Sequence, residues 1–328
     1  MERLRAFRHL EGLTQKEMGD LLRIPHQSIS HAEAGRRQLI EPDVSATGYS
    51  TERFGRLPSM SEPLHRQRAS TREATRKRAK ELLRLAGELF TELSSRTPRS
   101  PRMHVETLAP PMSLHEVEDR ATELRVGVLR HEETGRIANV TSAVERAGVC
   151  LVPIVGLAGV DGLSSWVDGQ PVVGLDPQQP GDRFRFTLLH ELGHLTMHRS
   201  KSDVTEDEAN RLAGAVLIPE SDFDLAMEGS PTISDFIELK KHWGMSVAAL
   251  VYRARELGYV DDHRYRSLQI QMSKWRRIEP AMFDAAHGKL LPKLVELNGG
   301  VSKVSREMGI NPAHIKEVTQ WSGLRVVR

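Results

Sequence analysis

Two histidines and a glutamate stand in the pattern His-Glu-x-x-His, as His190, Glu191 and His194. Helical residues four apart lie on one face, one turn from each other, so both imidazoles could reach the same metal ion. Glu191 is rotated off that face, but it would be near enough to a water molecule on the ion to take its proton. Because hydrolytic zinc sites use three protein ligands and leave one position open, the pattern predicts a third ligand downstream.

The third ligand is predicted on the acidic start of a second helix, where Glu206 lies twelve residues after His194. Glu206 precedes Ala209 by three residues, so it shares the apolar stripe that should face the first helix. Glu208 points more to the side and is the alternative third ligand. His198, one turn after His194, is a further alternative. Two imidazoles and a carboxylate favour Zn²⁺ as the cofactor.

The elements that must position these side chains are two helices and a small sheet. The metal-binding helix is apolar on its flanks, as expected of a buried helix, and Gly193 would let another backbone come close. A buried strand is predicted over 149–155, and a hairpin over 164–168 and 171–176. Such a sheet beside the metal helix could hold an extended peptide as an added strand. Its aromatic residue, Trp166, is predicted to lie in the core.

Two motifs of the chain are similar to those of a known family. Residues 186–194 read Phe-Thr-x-x-His-Glu-Leu-Gly-His, and residues 208–219 read Glu-Ala-Asn-x-Leu-Ala-x-x-Val-Leu-Ile-Pro. Both motifs resemble the ImmA/IrrE family of zinc metallo-endopeptidases, and residues 113–280 are similar to it in layout. The resemblance implies a cytosolic protease that cleaves a transcriptional repressor, often one of XRE type.

Residues 1–40 predict a helix-turn-helix. Thr14-Gln15-Lys16-Glu17 is a capping box, which marks a helix start, and Pro25 begins the next helix. The pattern resembles the XRE type, with Arg23 where a turn glycine is usual and Gly19 inside the first helix of the pair. XRE domains usually carry four or five helices, so the loop that follows predicts an abbreviated unit.

The second helix of such a unit lies in the major groove, where its first residues meet base edges. His26, Gln27 and Ser28 are predicted to make these contacts, because Gln pairs with adenine and Ser is permissive. The candidates for phosphate contact are Gln15, Arg36 and Arg37. The alternative is a helical hairpin that binds a protein or forms a dimer.

The whole chain is predicted to be α+β and mostly helical. Residues 41–112 would form a loop, a long basic linker helix over 68–95 and a proline-rich linker. Residues 113–262 would form a zincin-like metallopeptidase domain, and 263–328 a C-terminal helical domain with a second helix-turn-helix candidate within 284–321. The basic helix would contact phosphate, form a homodimer, or simply connect the domains with a solvated charged face.

Charge is distributed unevenly along the chain. Residues 1–102 hold 20 Lys and Arg against 13 Asp and Glu, residues 103–230 hold 10 against 21, and residues 231–328 hold 16 against 10. Basic ends suit contact with a polyanion and an acidic middle suits a cation, although compositional drift is the simpler account. Cys150 is the only cysteine, which excludes an internal disulfide and favours a cytoplasmic protein. No run of about eighteen apolar residues exists, so no contact with a membrane is predicted.

These observations favour a DNA-associated zinc endopeptidase of the His-Glu-x-x-His plus Glu type. It would regulate transcription by cleaving an XRE-type repressor or an antitoxin-like regulator, in a stress or phage-type response. The alternative is a DNA-binding regulator whose zinc domain senses or binds a partner without hydrolysis. The candidates for stabilising the oxyanion are Tyr252, Tyr259, Tyr265 and His198.

Overall fold

The computed structural model describes residues 2–36, 44–50, 57–63, 73–98, 100–101, 105, 113–155, 161–198, 203–227, 229–275 and 279–321. Within these segments the chain forms fifteen α-helices and one sheet of three strands. The predicted fold class, α+β and mostly helical, is confirmed. None of the helices in the described segments is long and apolar enough to cross a membrane.

The N-terminal unit consists of the three short helices α1 (Glu2–Glu11), α2 (Gln15–Leu22) and α3 (His26–Glu33). The predicted capping box begins α2: the Glu17 backbone N–H donates to the Thr14 hydroxyl at 3.2 Å, and the Thr14 backbone N–H donates to the Glu17 carboxylate at 2.7 Å. Apolar side chains from all three helices share one small core, to which Val44 is added from the segment after α3.

The turn between α2 and α3 accounts for both departures from the XRE pattern. Arg23 has a φ of 56°, in the left-handed region where the Cβ of an L-residue is crowded by its own backbone. Gly19 lies against the same turn, and a Cβ at this position would come within 2.6 Å of the Ile24 carbonyl oxygen. The close approach therefore requires glycine inside α2, although glycine weakens a helix.

The long helix α4 (Glu73–Arg96) lies between the N-terminal unit and the sheet. Arg3 on α1 donates two hydrogen bonds, of 2.9 and 3.0 Å, to the Glu88 carboxylate on α4. Five of the helix's basic residues form ion pairs within the chain: Lys77 with Glu73, Arg78 with Glu317, Lys80 with Glu62, Arg84 with Glu81, and Arg96 with Glu92 and Glu307. The described part of the predicted linker helix is therefore a central packing element.

The sheet has the strand order β1-β3-β2, with β1 (Cys150–Pro153), β2 (Gly162–Val167) and β3 (Gln170–Leu175). β2 and β3 form the predicted antiparallel hairpin, and β1 runs parallel to β3. The hairpin turns at Asp168 and Gly169, whose φ values of 45° and 80° suit a two-residue hairpin turn. Alternate side chains of the strands join two different cores, so both faces of the sheet are covered.

Eight helices pack on one face of the sheet or around it. They are α5 (Leu114–Glu123), α6 (Val140–Arg146), α7 (Gly181–Met197), α8 (Asp203–Leu217), α9 (Glu220–Ala226), α10 (Ile233–Trp243), α11 (Val247–Glu256) and α12 (Asp262–Ser273). Helix α7 runs through the middle of this core and α8 packs against it. Trp166 is partly buried against the same core, and its indole N–H donates to the Leu195 carbonyl at 3.2 Å.

The C-terminal segment forms α13 (Leu290–Leu297), α14 (Gly300–Met308) and α15 (Pro312–Thr319), so helices occupy the second helix-turn-helix candidate. These helices share one core with α4 and the sheet. His314 Nε2 lies 2.9 Å from the Glu11 carboxylate on α1, and Glu317 pairs with Arg78 on α4 at 2.6 Å. Helix α15 therefore docks the N-terminal unit onto the sheet, and these contacts occupy much of its surface.

Candidate metal centre

Helix α7 holds His190 and His194 on one face, one turn apart, and their Nε2 atoms lie 3.0 Å from each other. The His194 side chain is fully buried, whereas His190 keeps 12% of its side chain exposed. Phe184, Leu188 and Leu192 on the same helix are fully buried in the core. The apolar flanks therefore fix the rotation of α7 and with it the direction of both imidazoles.

Helix α8 brings Glu206 to the two histidines. Its carboxylate oxygens lie 3.8 Å from His190 Nε2 and 3.4 Å from His194 Nε2. The helices come close at Gly193, where a Cβ would lie 3.0 Å from the Leu212 side chain. Among the described residues, these three side chains form a group whose ligand atoms all lie within 4.8 Å of one another. The structure thus brings together the residues that the sequence singled out.

The donor set and its spacing fit a tetrahedral zinc ion. With bonds of about 2.0–2.1 Å, the donors of such an ion lie about 3.4 Å apart. The two Nε2 atoms lie 3.0 Å apart, Glu206 Oε1 lies 3.4 Å from His194 Nε2, and Glu206 Oε2 lies 3.8 Å from His190 Nε2, so the separations to the two oxygens of this carboxylate lie around that value. Two imidazole nitrogens and one carboxylate leave a fourth position for the reacting group, as in hydrolytic zinc sites. The three residues could therefore hold Zn²⁺ without a rearrangement of α7 and α8.

Glu191 lies beside this group and is only 3% exposed. The Ser164 hydroxyl on β2 donates a hydrogen bond of 2.7 Å to its Oε2 atom. Gly162 packs closely against the Glu191 side chain. A Cβ at position 162 would lie 3.0 Å from Glu191 Cγ and 2.7 Å from Thr187 Cγ2. The start of β2 therefore sets the position of a carboxylate that could accept a proton next to the metal centre.

Further polar side chains contact the outer nitrogens of both histidines. Asn210 Oδ1 lies 2.9 Å from His190 Nδ1. His198 Nδ1 lies 2.9 Å from His194 Nδ1, and His198 Nε2 lies 2.9 Å from the Glu208 carboxylate. The two alternative third ligands thus contact each other, behind His194. Burial, together with the neighbouring His194, lowers the pKa of His198 to about 4.

A cleft of about 1020 Å³ opens onto His190, Glu191 and Glu206. Tyr252 on α11 lines this cleft. The other two tyrosine candidates for the oxyanion have partners elsewhere: the Tyr259 hydroxyl donates to Asp224, and the Tyr265 ring lies under Arg255. The cleft wall also includes Glu256, and burial raises the pKa of this carboxyl to about 7.

Comparison with protein families matches two parts of the chain. Residues 145–255 match a peptidase family model described as the IrrE N-terminal-like domain, and residues 2–53 match a model described as a helix-turn-helix domain. The chain carries an IrrE-like domain behind a helix-turn-helix domain. A search of curated proteins finds no match. The IrrE-like match spans β1 to α11 and therefore includes all the residues of the metal centre.

In the helix-turn-helix domain, His26 and Gln27 are exposed at the start of α3, and Ser28 is half-buried. Arg36 is exposed after α3, while Arg37 lies outside the described residues. The Gln15 side-chain amide donates a hydrogen bond of 2.9 Å to the Glu33 carboxylate, which ties the start of α2 to the end of α3. Gln15 therefore has a bracing contact within the unit, in addition to the predicted phosphate contact.

Sequence reasoning did not find Ser164 or Asn210. Asn210 had a usable signal, because it lies four residues after Glu206 and so on the same face of α8. Ser164 had none, because its contact with Glu191 joins a strand to a helix that begins 17 residues further along the chain. Only the packing of β2 on α7 brings the two side chains together.

Proposed function

We propose that this protein is a zinc-dependent endopeptidase that regulates transcription by cleaving a repressor protein. The observation that carries the proposal is the convergence of His190, His194 and Glu206 at the head of a cleft, with the buried carboxylate of Glu191 beside them. The helix-turn-helix domain in the same chain supports a role at DNA.

In this proposal, His190, His194 and Glu206 hold the zinc ion, which when bound supplies a Lewis acid for activating water and polarising a peptide carbonyl. Glu191 accepts the proton of the attacking water and later gives it to the leaving amine. Ser164 donates a hydrogen bond to Oε2 of Glu191 and so restrains rotation of the carboxylate. Tyr252, which lines the cleft, is our candidate for the oxyanion.

The edge strand β2 supports an extended peptide as the substrate. Its Gly162 end contacts Glu191, whereas its far end is covered by residues 57–63. There the Ser61 N–H donates to the Trp166 carbonyl and the Asp168 N–H donates to the Ser59 carbonyl. We place the substrate strand at the Gly162 end, where main-chain pairing would bring a peptide bond to the metal centre.

The repressor as substrate is inferred from the domain combination. XRE-type repressors are the targets that the family resemblance implies, and an antitoxin-like regulator is the related choice. Exposed His26 and Gln27 at the start of α3 suit contact with base edges, and Arg36 suits contact with phosphate. Such contacts would place the peptidase near proteins that occupy operators.

Replacing Glu191 with glutamine tests the proposal. The amide keeps the size of the side chain but cannot accept a proton, so cleavage should fall by about 10²–10⁴-fold. Zinc content should stay at the wild-type level, because Glu191 is not one of the proposed ligands. The assay co-expresses either form with XRE-type repressors encoded nearby and looks for a specific fragment.

Two results would decide against the peptidase. A fragment that forms equally with the Glu191→Gln protein would come from another protease. If no fragment forms with wild type while DNA binding and regulation respond to zinc, the IrrE-like domain is a sensor or a partner-binding module without hydrolysis. Cleavage that is lost in both Glu191→Gln and His194→Ala supports the proposed function.

A further inference from the structure

Three polar side chains form a buried row that ends at the metal centre. Glu208 on α8 contacts His198 Nε2 at 2.9 Å, and His198 Nδ1 contacts His194 Nδ1 at 2.9 Å. The exposed fractions of their side chains are 14% for Glu208, 1% for His198 and 0% for His194. Helix α8 therefore meets the histidines at two places, at the centre through Glu206 and at the far end of the row through Glu208.

The hydrogen-bonding capacity of these groups fixes where the protons lie. A carboxylate oxygen only accepts, so Glu208 takes the N–H of His198 Nε2. The lone pair of a neutral His198 is then on Nδ1, where it accepts the N–H of His194 Nδ1. His194 is left with an unprotonated Nε2, the atom that faces His190 and Glu206.

The opposite pair of tautomers, with protons on His198 Nδ1 and His194 Nε2, would prevent His194 from binding a metal ion through Nε2. A proton on His198 Nδ1 would need a lone pair on His194 Nδ1, and neutral His194 would then carry its own proton on Nε2. A protonated nitrogen has no lone pair for a metal ion. The row from Glu208 to His194 therefore selects the one tautomer of His194 that can bind through Nε2.

We propose that Glu208 and His198 are positioning residues that hold His194 in its metal-binding tautomer and orientation. This inference rests on the proposed zinc site. His190 has a simpler partner, the neutral amide of Asn210, so the two histidines are held differently. Partners of metal-bound histidines commonly contribute about 10–100-fold to metal affinity, which sets the size of the expected effect.

Two substitutions at position 198 test whether His198 acts through its hydrogen bond to His194 or only by filling space in the core. His198→Leu removes the acceptor for His194 Nδ1, and we expect the Kd for zinc to rise by about 10–100-fold. His198→Asn keeps an oxygen that can accept from His194 but loses the link to Glu208, so it should recover most of that loss. Glu208→Gln keeps an acceptor for His198 without the charge, so its effect should resemble that of His198→Asn.

The matched control is Thr196→Val. Thr196 is fully buried on the same helix, but its hydroxyl donates to the Leu192 carbonyl at 2.9 Å and does not contact the histidines. Zinc affinity of each full-length protein would be measured by competition with a chromophoric chelator, and folding by circular dichroism. Thr196→Val should bind zinc like wild type. A Kd for His198→Leu equal to that of Thr196→Val would overturn the proposal.

A direct measurement on wild type avoids the risk that a variant fails to fold. In protein with ¹⁵N-labelled histidine and bound zinc, long-range ¹H–¹⁵N spectra should show His194 protonated at Nδ1 and His198 protonated at Nε2. A proton on His198 Nδ1 would overturn the proposal. If wild type and His190→Ala bind zinc equally weakly, the zinc site itself is wrong, whereas normal binding by wild type together with the wrong tautomers rejects only the positioning role.

Discussion

Gly162, like Ser164, brings the sheet into contact with Glu191. A side chain at this position would press on Thr187 Cγ2 at 2.7 Å and on Glu191 Cγ at 3.0 Å. Thr187 is itself held, because its hydroxyl donates to the Gln179 side chain at 3.0 Å. Little room is therefore available for Glu191 to move while its hydrogen bond to Ser164 is kept.

If the proposed peptidase activity is correct, we expect Gly162→Ala to lower its kcat/KM by about tenfold or more, since small displacements of a catalytic group are costly. Zinc affinity should be unchanged, because the three atoms nearest to the added methyl group belong to Thr187 and Glu191, which are not proposed ligands. Gly127→Ala is the control, since a Cβ at Gly127 meets no atom within 4 Å. Equal activity of the two variants would contradict this role for Gly162.

Individual side chains differ in how far the sequence could place them. His190 and His194 were predictable because residues four apart lie on the same face of a helix. Glu206 was predictable because its position lies on the same face of the next helix as the apolar residues. His198 and Glu208 were named as alternative ligands, but the sequence could not tell a ligand from a partner of a ligand. That distinction depends on which nitrogen of His194 each group reaches.

Helices α7 and α8 contact each other at Gly193, which lies against Leu212 and Ala209. An ion held by residues of both helices would link them in the native state only. Ligand binding to the native state alone stabilises it by about 2.7 kcal/mol when the free ligand is at 100 times its Kd.

Removal of the metal should therefore lower the melting temperature of wild type by about 4 °C. Differential scanning fluorimetry with zinc or with a chelator would measure this shift. Asp207→Ala should respond to the chelator like wild type, because Asp207 is exposed beside Glu206. Glu206→Ala should show little or no response, and a full response from it would remove Glu206 from the site.

The turn after α2 leads to two opposite expectations for stability. Gly19→Ala should destabilise the protein although alanine favours helix by about 1 kcal/mol, because the added Cβ would lie 2.6 Å from the Ile24 carbonyl oxygen. Arg23→Gly should stabilise it by about 0.5–1 kcal/mol, because glycine relieves the left-handed conformation. Urea denaturation monitored by circular dichroism would measure both changes, and a stabilised Gly19→Ala protein would contradict the close contact.

Most helices were predictable from periodicity and capping, but their packing was not. The sequence indicated helices on both sides of the turn at 309–311, yet it gave no sign that α15 would dock on α1 and α4. The same holds for the basic helix, whose cations pair with carboxylates as distant in sequence as Glu317. Pairings between distant segments carry no local signal, and for this reason the roles of these two helices remained open.

The N-terminal unit is held to the rest of the molecule partly by the contact between Glu11 and His314. A hydrogen bond from His314 lowers the pKa of Glu11 below its usual value of 4.5, and the attraction of His314 and Arg78 adds to this, while burial opposes it. A carboxyl group with a depressed pKa stabilises the folded state above its unfolded pKa. That contribution is lost as the pH falls through the folded pKa.

Wild type should therefore be more stable than Glu11→Gln at about pH 6, and the difference should shrink as the pH falls to about 3. The size should be no more than about 1 kcal/mol, since Glu11 is partly exposed and solvent screens its charge. Urea unfolding at both pH values would measure it. In a His314→Gln background the pH-dependent effect of Glu11→Gln should be smaller, because only the attraction of Arg78 is left. The same effect there would assign the dependence to another partner of Glu11.

Arg3 on α1 donates hydrogen bonds to Glu88 on α4. Helix α4 also packs on the sheet, whose strand β2 contacts Glu191. In this arrangement the N-terminal unit and the metal centre are joined through packed helices and not through a flexible linker. Once α3 sits on an operator, the mouth of the cleft would face a single direction. In the proposed function, only a repressor bound at the matching helical phase of the DNA could then offer a peptide to the cleft. Changing the spacing between two operators by half a turn of the duplex should in that case abolish cleavage on DNA without altering either protein.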